Sequence, residues 1–176
     1  MEFYQIKNIE DKWYKLFYEI YSVSFPIHEQ RNEAQQIEAF NDERYYLMAL
    51  VEKSNFCAFI AYWDFGNYVY IEHLAVNPVL RGNNIGSKSL QVFADIVKKT
   101  VLLEIDPLVD DISQRRLGFY ERLGYKMNPY KHAHPAYNPK YKPHELIVLS
   151  YPEKITKEEY EQFYSDLANI VMKVNG

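Results

Sequence analysis

The residues best equipped for chemistry lie in one run, Val76-Asn77-Pro78-Val79-Leu80-Arg81-Gly82-Asn83-Asn84-Ile85-Gly86-Ser87. A β-rich stretch from Tyr68 to Ala75 precedes it, and a helical pattern from Ile85 to Lys99 follows. A strand that runs through an Arg-Gly loop into a helix N-terminus makes an anion site. Free amides point out of the loop, and the helix dipole adds about half a positive charge. Gly82 and Gly86 let the backbone approach a phosphate without an intervening Cβ, and Arg81 offers a planar fork of donors. The run therefore implies a diphosphate-bearing ligand. It lacks the Gly-Lys-Ser/Thr ending of a P-loop, and no G-x-G-x-x-G is present.

The strand before the loop holds two groups suited to proton transfer, Glu72 and His73. A carboxylate inside an apolar run needs a reason, because burial without a partner is costly. Glu72 reads either as a general base, directly or through a water, or as half of a structural ion pair or a solvent-facing strand residue. His73 is the second candidate base, since imidazole titrates near neutrality. Strand alternation puts the two on opposite faces unless a bulge intervenes.

The elements that must position these groups follow from periodicity. Phe3 to Lys7 reads as a first strand. Trp13, Leu16, Phe17, Ile20 and Tyr21 have helical spacing within Asp11 to Val23, and Pro26 closes that helix. His28 to Asn41 is polar and helix-prone. Tyr45–Val51, Phe56–Phe65 and Tyr68–Val76 read as an antiparallel meander with turns at 53–55 and 66–67. Beyond the loop come a helix to Lys99, a buried strand Thr100–Ile105 and a helix Ile112–Leu123 that Gly124 ends. Tyr125–Tyr130 and Glu145–Tyr151 read as the last strands, and Lys131 to His144 as a loop rich in Pro, Tyr and His. Thr156 to Glu159 matches a capping box. Tyr160, Phe163, Tyr164, Leu167, Ile170, Val171 and Val174 then share one helix face, which covers the domain or a partner subunit. The order β-α-α-β-β-β-α-β-α-β-β-α describes an α/β (α+β) domain over 1–151. It has a mixed, mostly antiparallel central sheet flanked by helices, and 152–176 is an extra C-terminal amphipathic helix.

Three features in this order resemble the GNAT superfamily of acyl-CoA-dependent N-acetyltransferases. The strand Tyr68–Val76 comes first. The loop Pro78–Gly86 resembles the family's Q/R-x-x-G-x-G/A signature, and Phe119-Tyr120-Glu121-Arg122-Leu123-Gly124-Tyr125 resembles its F-Y-E-x-x-G-F/Y segment. The resemblance covers about 150 residues, Phe3 to Tyr151. Two departures stand out: Asn84 replaces a usual glycine, and Ser113 replaces an Asn that contacts the pantetheine arm in many relatives.

The resemblance implies acetyl transfer from acetyl-CoA, as cosubstrate, to a small-molecule or peptide amine by direct attack through a tetrahedral intermediate. It implies that Arg81, Gly82, Asn83, Asn84, Ile85, Gly86 and Ser87 hold the pyrophosphate. Leu74 and Val76 would pair with pantetheine, and the amide of Leu74 or Ala75 would polarise the thioester. Tyr120 would serve as general acid toward the departing thiolate, with Ser113 and Arg116 as further coenzyme contacts. The acceptor side would draw on Phe25, His28, Glu29, Arg31, His134 and Tyr137. His132, His134 and His144 match no common zinc spacing, and the family needs no metal, so none is expected. An alternative on the same scaffold is a non-catalytic acyl-CoA-binding or sensing module.

Composition agrees with an ordinary globular protein. The 176 residues carry a net charge of −4, which argues against nucleic-acid binding. The single cysteine, Cys57, permits no internal disulfide and fits a reducing, cytoplasmic compartment. The N-terminal segment lacks the basic start and apolar stretch of a signal peptide, and no window has the apolar length of a membrane span. A homodimer is compatible with the apolar face of the last helix. The unusual number is 17 tyrosines, most of which must sit in or beside the core.

Overall fold

Pairing begins in the β-meander, which the computed structural model describes, with the rest of the chain, over residues 1–173. The apolar face of the last helix was expected to extend to Val174, which lies outside the described residues. Two units of chain, Met1–Lys99 and Thr100–Gly176, each carry their own dense set of contacts.

The first unit is built on four antiparallel strands: β1 (Glu2–Ile6), β2 (Tyr45–Glu52), β3 (Asn55–Asp64) and β4 (Tyr68–Val76). Lys53 and Ser54 turn β2 into β3 with φ of 51° and 65°, the paired positive values that match strand twist in a two-residue hairpin. Apolar residues line both faces of β3 because helices lie on both. Phe59 meets Phe17 of α1 (Tyr14–Ser24) edge-on at 4.8 Å, while Tyr62 meets Phe93 of α3 (Ile85–Val97) at 4.9 Å. The polar segment expected as one helix over 28–41 is a short 3-10 turn, Ile27–Glu29, followed by α2 (Glu33–Phe40). A reciprocal capping box between Asn32 and Gln35 sets that start.

The second unit contains β5 (Thr100–Ile105), α4 (Asp111–Arg122), β6 (Lys126–Met127), β7 (His132–His134), β8 (His144–Tyr151) and α5 (Lys157–Asp166). β8 pairs antiparallel with β5, β6 and β7. The strand expected over 125–130 is thus only two residues long, and a further short strand lies in the segment expected as loop. Thr156 and Glu159 form the capping box of α5, and a π-helical stretch, Leu167–Val171, continues it. Part of its apolar face is buried in cis: Phe163 and Leu167 are wholly enclosed, and the Phe163 ring centroid lies 5.8 Å from that of His132 on β7, while Tyr164 remains exposed. Among the described residues no helix is long and apolar enough to cross a membrane.

Candidate active site

The Arg-Gly loop is held by its own polar groups. Asn77 follows β4; its amide donates to Cys57 O at 2.8 Å, and its side chain donates to Phe56 O and accepts from the Val79 amide. A 3-10 turn over Pro78–Leu80 follows, and the Asn83 side chain donates back to Leu80 O at 2.9 Å. Gly82 has φ of 86°, and a Cβ there would meet nothing within 4 Å, so glycine serves the backbone angle and not a crowded contact. Asn84 takes the left-handed conformation, φ 57° and ψ 19°, which asparagine adopts more readily than most residues. It therefore preserves the turn that a glycine usually makes. No side chain caps α3, so its first-turn amides, from Ile85 to Ser87, open toward an exposed loop. An uncapped helix start beside an exposed Arg81 fits a phosphate group. Lys88 instead pairs with Glu52 at 2.6 Å.

Along β4 the register to β3 skips one residue: Ala61 opposes His73 and Tyr62 opposes Ile71. Glu72 is the extra residue of this bulge, and so Glu72 and His73 turn toward the same cluster. The Glu72 side chain is fully buried. Its Oε2 receives the guanidinium of Arg31, itself buried, and its Oε1 accepts from the Trp63 indole N–H at 2.7 Å. Glu72 thus forms an ion pair, and its partner is Arg31, a residue expected on the acceptor side. His73 is also buried, between Tyr21 and Phe25, with ring centroids 5.0 and 4.7 Å away. Its Nε2 lies 3.0 Å from Glu29 O. A carbonyl only accepts, so Nε2 carries the proton; Nδ1 faces Glu72 Oε2 at 3.7 Å. Of the other acceptor residues, Phe25 is half-buried, His28 is exposed, and His28 Nε2 lies 3.8 Å from a Glu29 carboxylate oxygen. Past the bulge, Leu74, Ala75 and Val76 are only partly covered, unlike the buried start of the strand.

In the second unit Tyr120 lies on α4, edge-on to Phe119 and Tyr125. Burial pushes its phenol up to about 12, against the opposing pull of Arg116. Arg116 itself pairs with Asp106 at 2.8 Å on the surface. Ser113 does not present a free hydroxyl. It is the third residue of the α4 capping box, donating to Asp110 O at 3.0 Å and accepting from the amides of Val109 and Asp110. The hydroxyl that the resemblance assigned to the coenzyme is engaged in a helix cap.

His134 and Tyr137, expected at the acceptor, are both buried and stack on one another at 5.4 Å. They lie beside a carboxylate the sequence reading passed over, Glu104 of β5. Glu104 Oε2 is 2.5 Å from His132 Nε2, and Oε1 is 3.9 Å from His134 Nε2. His132 Nδ1 continues to the Tyr160 hydroxyl at 2.9 Å. One concave surface of this unit, about 420 Å³, is lined by Lys131, His132, Ala133, Glu145, Tyr160, Glu161 and Tyr164. Among the described residues no three His, Cys, Asp or Glu side chains are grouped to hold a metal ion.

The sequence model of the acetyltransferase (GNAT) family matches residues 11–125, about two thirds of the chain. The chain belongs to the GNAT acetyltransferase family. A candidate acetyltransferase of Bacillus subtilis (strain 168), YjbC, is 31% identical over 114 residues, which is 62% of this chain. The chain spans 56% of the length of that curated relative. A solved structure of a candidate GNAT acetyltransferase from Bacteroides thetaiotaomicron superimposes with a TM-score of 0.93 at 26% identity, covering 99% of this chain and 100% of the other. An aminoglycoside 6'-N-acetyltransferase solved with coenzyme A superimposes with a TM-score of 0.59 at 16% identity, over 85% of this chain and 96% of its own, a likeness of fold alone. The mixed, mostly antiparallel α/β architecture expected from the element order is thus the GNAT fold.

Proposed function

We propose that this GNAT chain transfers an acetyl group from acetyl-CoA to a primary amine by direct attack. The observation that carries the proposal is the uncapped start of α3 behind an exposed Arg-Gly loop, kept in shape by Gly82 and Asn84 at positive φ. Family membership and the coenzyme A held by a structural neighbour support the same donor.

Arg81 to Ser87 bind the pyrophosphate through main-chain amides and the Arg81 fork. The exposed end of β4, Leu74 to Val76, pairs with the pantetheine arm as an added strand, and a Leu74 or Ala75 amide polarises the thioester carbonyl. Acetyl-CoA supplies an activated acyl group: the C–N bond forms as the C–S bond breaks, and the proton released by the amine, passed through solvent, ends on the departing thiolate to give the free thiol. Tyr120 keeps its proton throughout the neutral range and hydrogen-bonds the departing sulfur. With a phenol near 12 and a thiol near 8.5, full proton transfer is uphill, so donation of a hydrogen bond is the larger part of its role. The amine must attack in its neutral form, so kcat/KM rises with pH until the acceptor has lost its proton. Phe25, His28 and Glu29 line the acceptor side.

Calorimetry with acetyl-CoA and with ATP tests the donor. Saturable binding of acetyl-CoA and none of ATP is expected; the reverse would contradict the loop's assignment. Thiol release over a panel of amines then tests the reaction. Coenzyme binding with no release on any amine would point to a sensor.

A further inference from the structure

The segment that joins α1 to α2, Phe25 to Arg31, contains only one short 3-10 turn, so its position depends on side chains. Three contacts tie it to its surroundings in the same unit. Arg31 reaches Glu72 at the β4 bulge, the Arg31 amide donates to the Tyr21 hydroxyl at 2.8 Å, and His73 Nε2 donates to Glu29 O at 3.0 Å. The Gln30 side chain closes the segment on itself, donating to Ser22 O at 3.1 Å and to Phe25 O. The Arg31 guanidinium also lies over the rings of Tyr45 and Trp63, at 5.6 and 5.8 Å. Two neighbouring strand residues thus hold one loop at two points, and they can do so because the bulge turns both side chains the same way.

We propose that Glu72, Arg31 and His73 are positioning residues that set acceptor recognition by fixing the segment Phe25–Arg31, and that Glu72 is not the base. This deepens the acetyltransfer function proposed above and rests on it. A base must pass between its charged and neutral forms in every turnover. Protonating Glu72 would leave the buried guanidinium of Arg31 without its counter-charge, so the carboxylate is held in one form. Both of its oxygens already have donors, in Arg31 and in the Trp63 indole. The His73 proton on Nε2 is committed to a main-chain carbonyl, and the remaining nitrogen faces Glu72. What the two groups leave at the surface is the half-exposed edge of the segment, with His28 and Glu29, where an amine would be selected.

The test uses the full chain and an amine that the wild type acetylates. Glu72→Gln and Arg31→Met should each raise the acceptor KM on the order of tenfold, with kcat within about threefold and the acetyl-CoA KM unchanged. The acidic limb of the kcat/KM profile should persist in Glu72→Gln. A readout independent of turnover comes from Trp63, whose indole bonds Glu72. In a Trp13→Phe background, both variants should shift its emission to the red and speed amide exchange across 25–31. If the single variants do not fold, the double variant Arg31→Met/Glu72→Met removes both charges at similar volume and should show the same KM effect. A fall in kcat of more than about a hundredfold in Glu72→Gln, with the acidic limb gone and exchange unchanged, would make Glu72 the base and overturn the proposal. If the wild type acetylates no amine, the acetyltransfer function fails, while fluorescence and exchange still decide whether the pair positions the segment.

Discussion

In the proposed reaction the residue that separates coenzyme binding from turnover is Tyr120. There its phenol bonds the coenzyme sulfur only as the thiolate departs, so Tyr120→Phe should lower kcat about 10- to 100-fold and leave acetyl-CoA affinity within about twofold. Steady-state kinetics beside calorimetry checks this, and unchanged kcat would remove Tyr120 from the chemistry. In the same proposal Gly82 shapes the binding half. At φ of 86° an added Cβ is strained although space is open, so Gly82→Ala distorts the loop. That strain, about 1–2 kcal/mol, should weaken acetyl-CoA binding on the order of tenfold with little change in kcat. Glu72 shows what one sequence can and cannot reveal at this scale. A carboxylate in an apolar strand announced that it must have a partner. The partner, Arg31, lies 41 residues away, and only the fold brings the two together. The same signal was present at Glu104, inside Thr100–Ile105, and there the apolar neighbours concealed it.

At the scale of elements, local chemistry was legible where one rule acted alone. Tyr68–Val76 and Thr100–Ile105 have the bounds their patterns gave, and Thr156 caps α5 as its capping box required. The misses come from competing rules. The polar pattern over 28–41 concealed a break, because the capping box at Asn32 restarts the helix after the 3-10 turn. The short strand at 132–134 is held by pairing with β8 and by His132 and His134 against Glu104, which no propensity encodes. The β4 bulge was visible only as an exception to alternation. The C-terminal helix depends on its cap and on one buried ring. Thr156→Ala should destabilise by about 1 kcal/mol through loss of the bond to the Glu159 amide. Phe163→Ala, at a fully buried position, should cost about 3–5 kcal/mol. Urea unfolding measures both, and equal small effects would show that the helix is not docked through Phe163.

Over the whole molecule the many tyrosines give a pH signature. Burial raises the phenols of Tyr62, Tyr120 and Tyr160 to about 12, and those of Tyr21, Tyr45 and Tyr125 further. An unfolded chain releases these protons near pH 10, so the folded state binds more of them above that value. Their contribution is complete below about pH 10 and is lost as pH rises through 12. The urea midpoint should therefore fall steeply between about pH 10 and 12, with phenolate absorbance from the buried rings appearing only on unfolding. A flat midpoint over that range would contradict the burial of these groups.

The central claim, that this GNAT chain moves an acetyl group directly from acetyl-CoA to an amine, is tested most directly by the dependence of thiol release on amine concentration. The account predicts release that saturates with amine, rises with pH as the amine is neutralised, matches acetylated amine one for one, and is unchanged in Cys57→Ala. Release that proceeds at the same rate without any amine, or that disappears with Cys57, would contradict it.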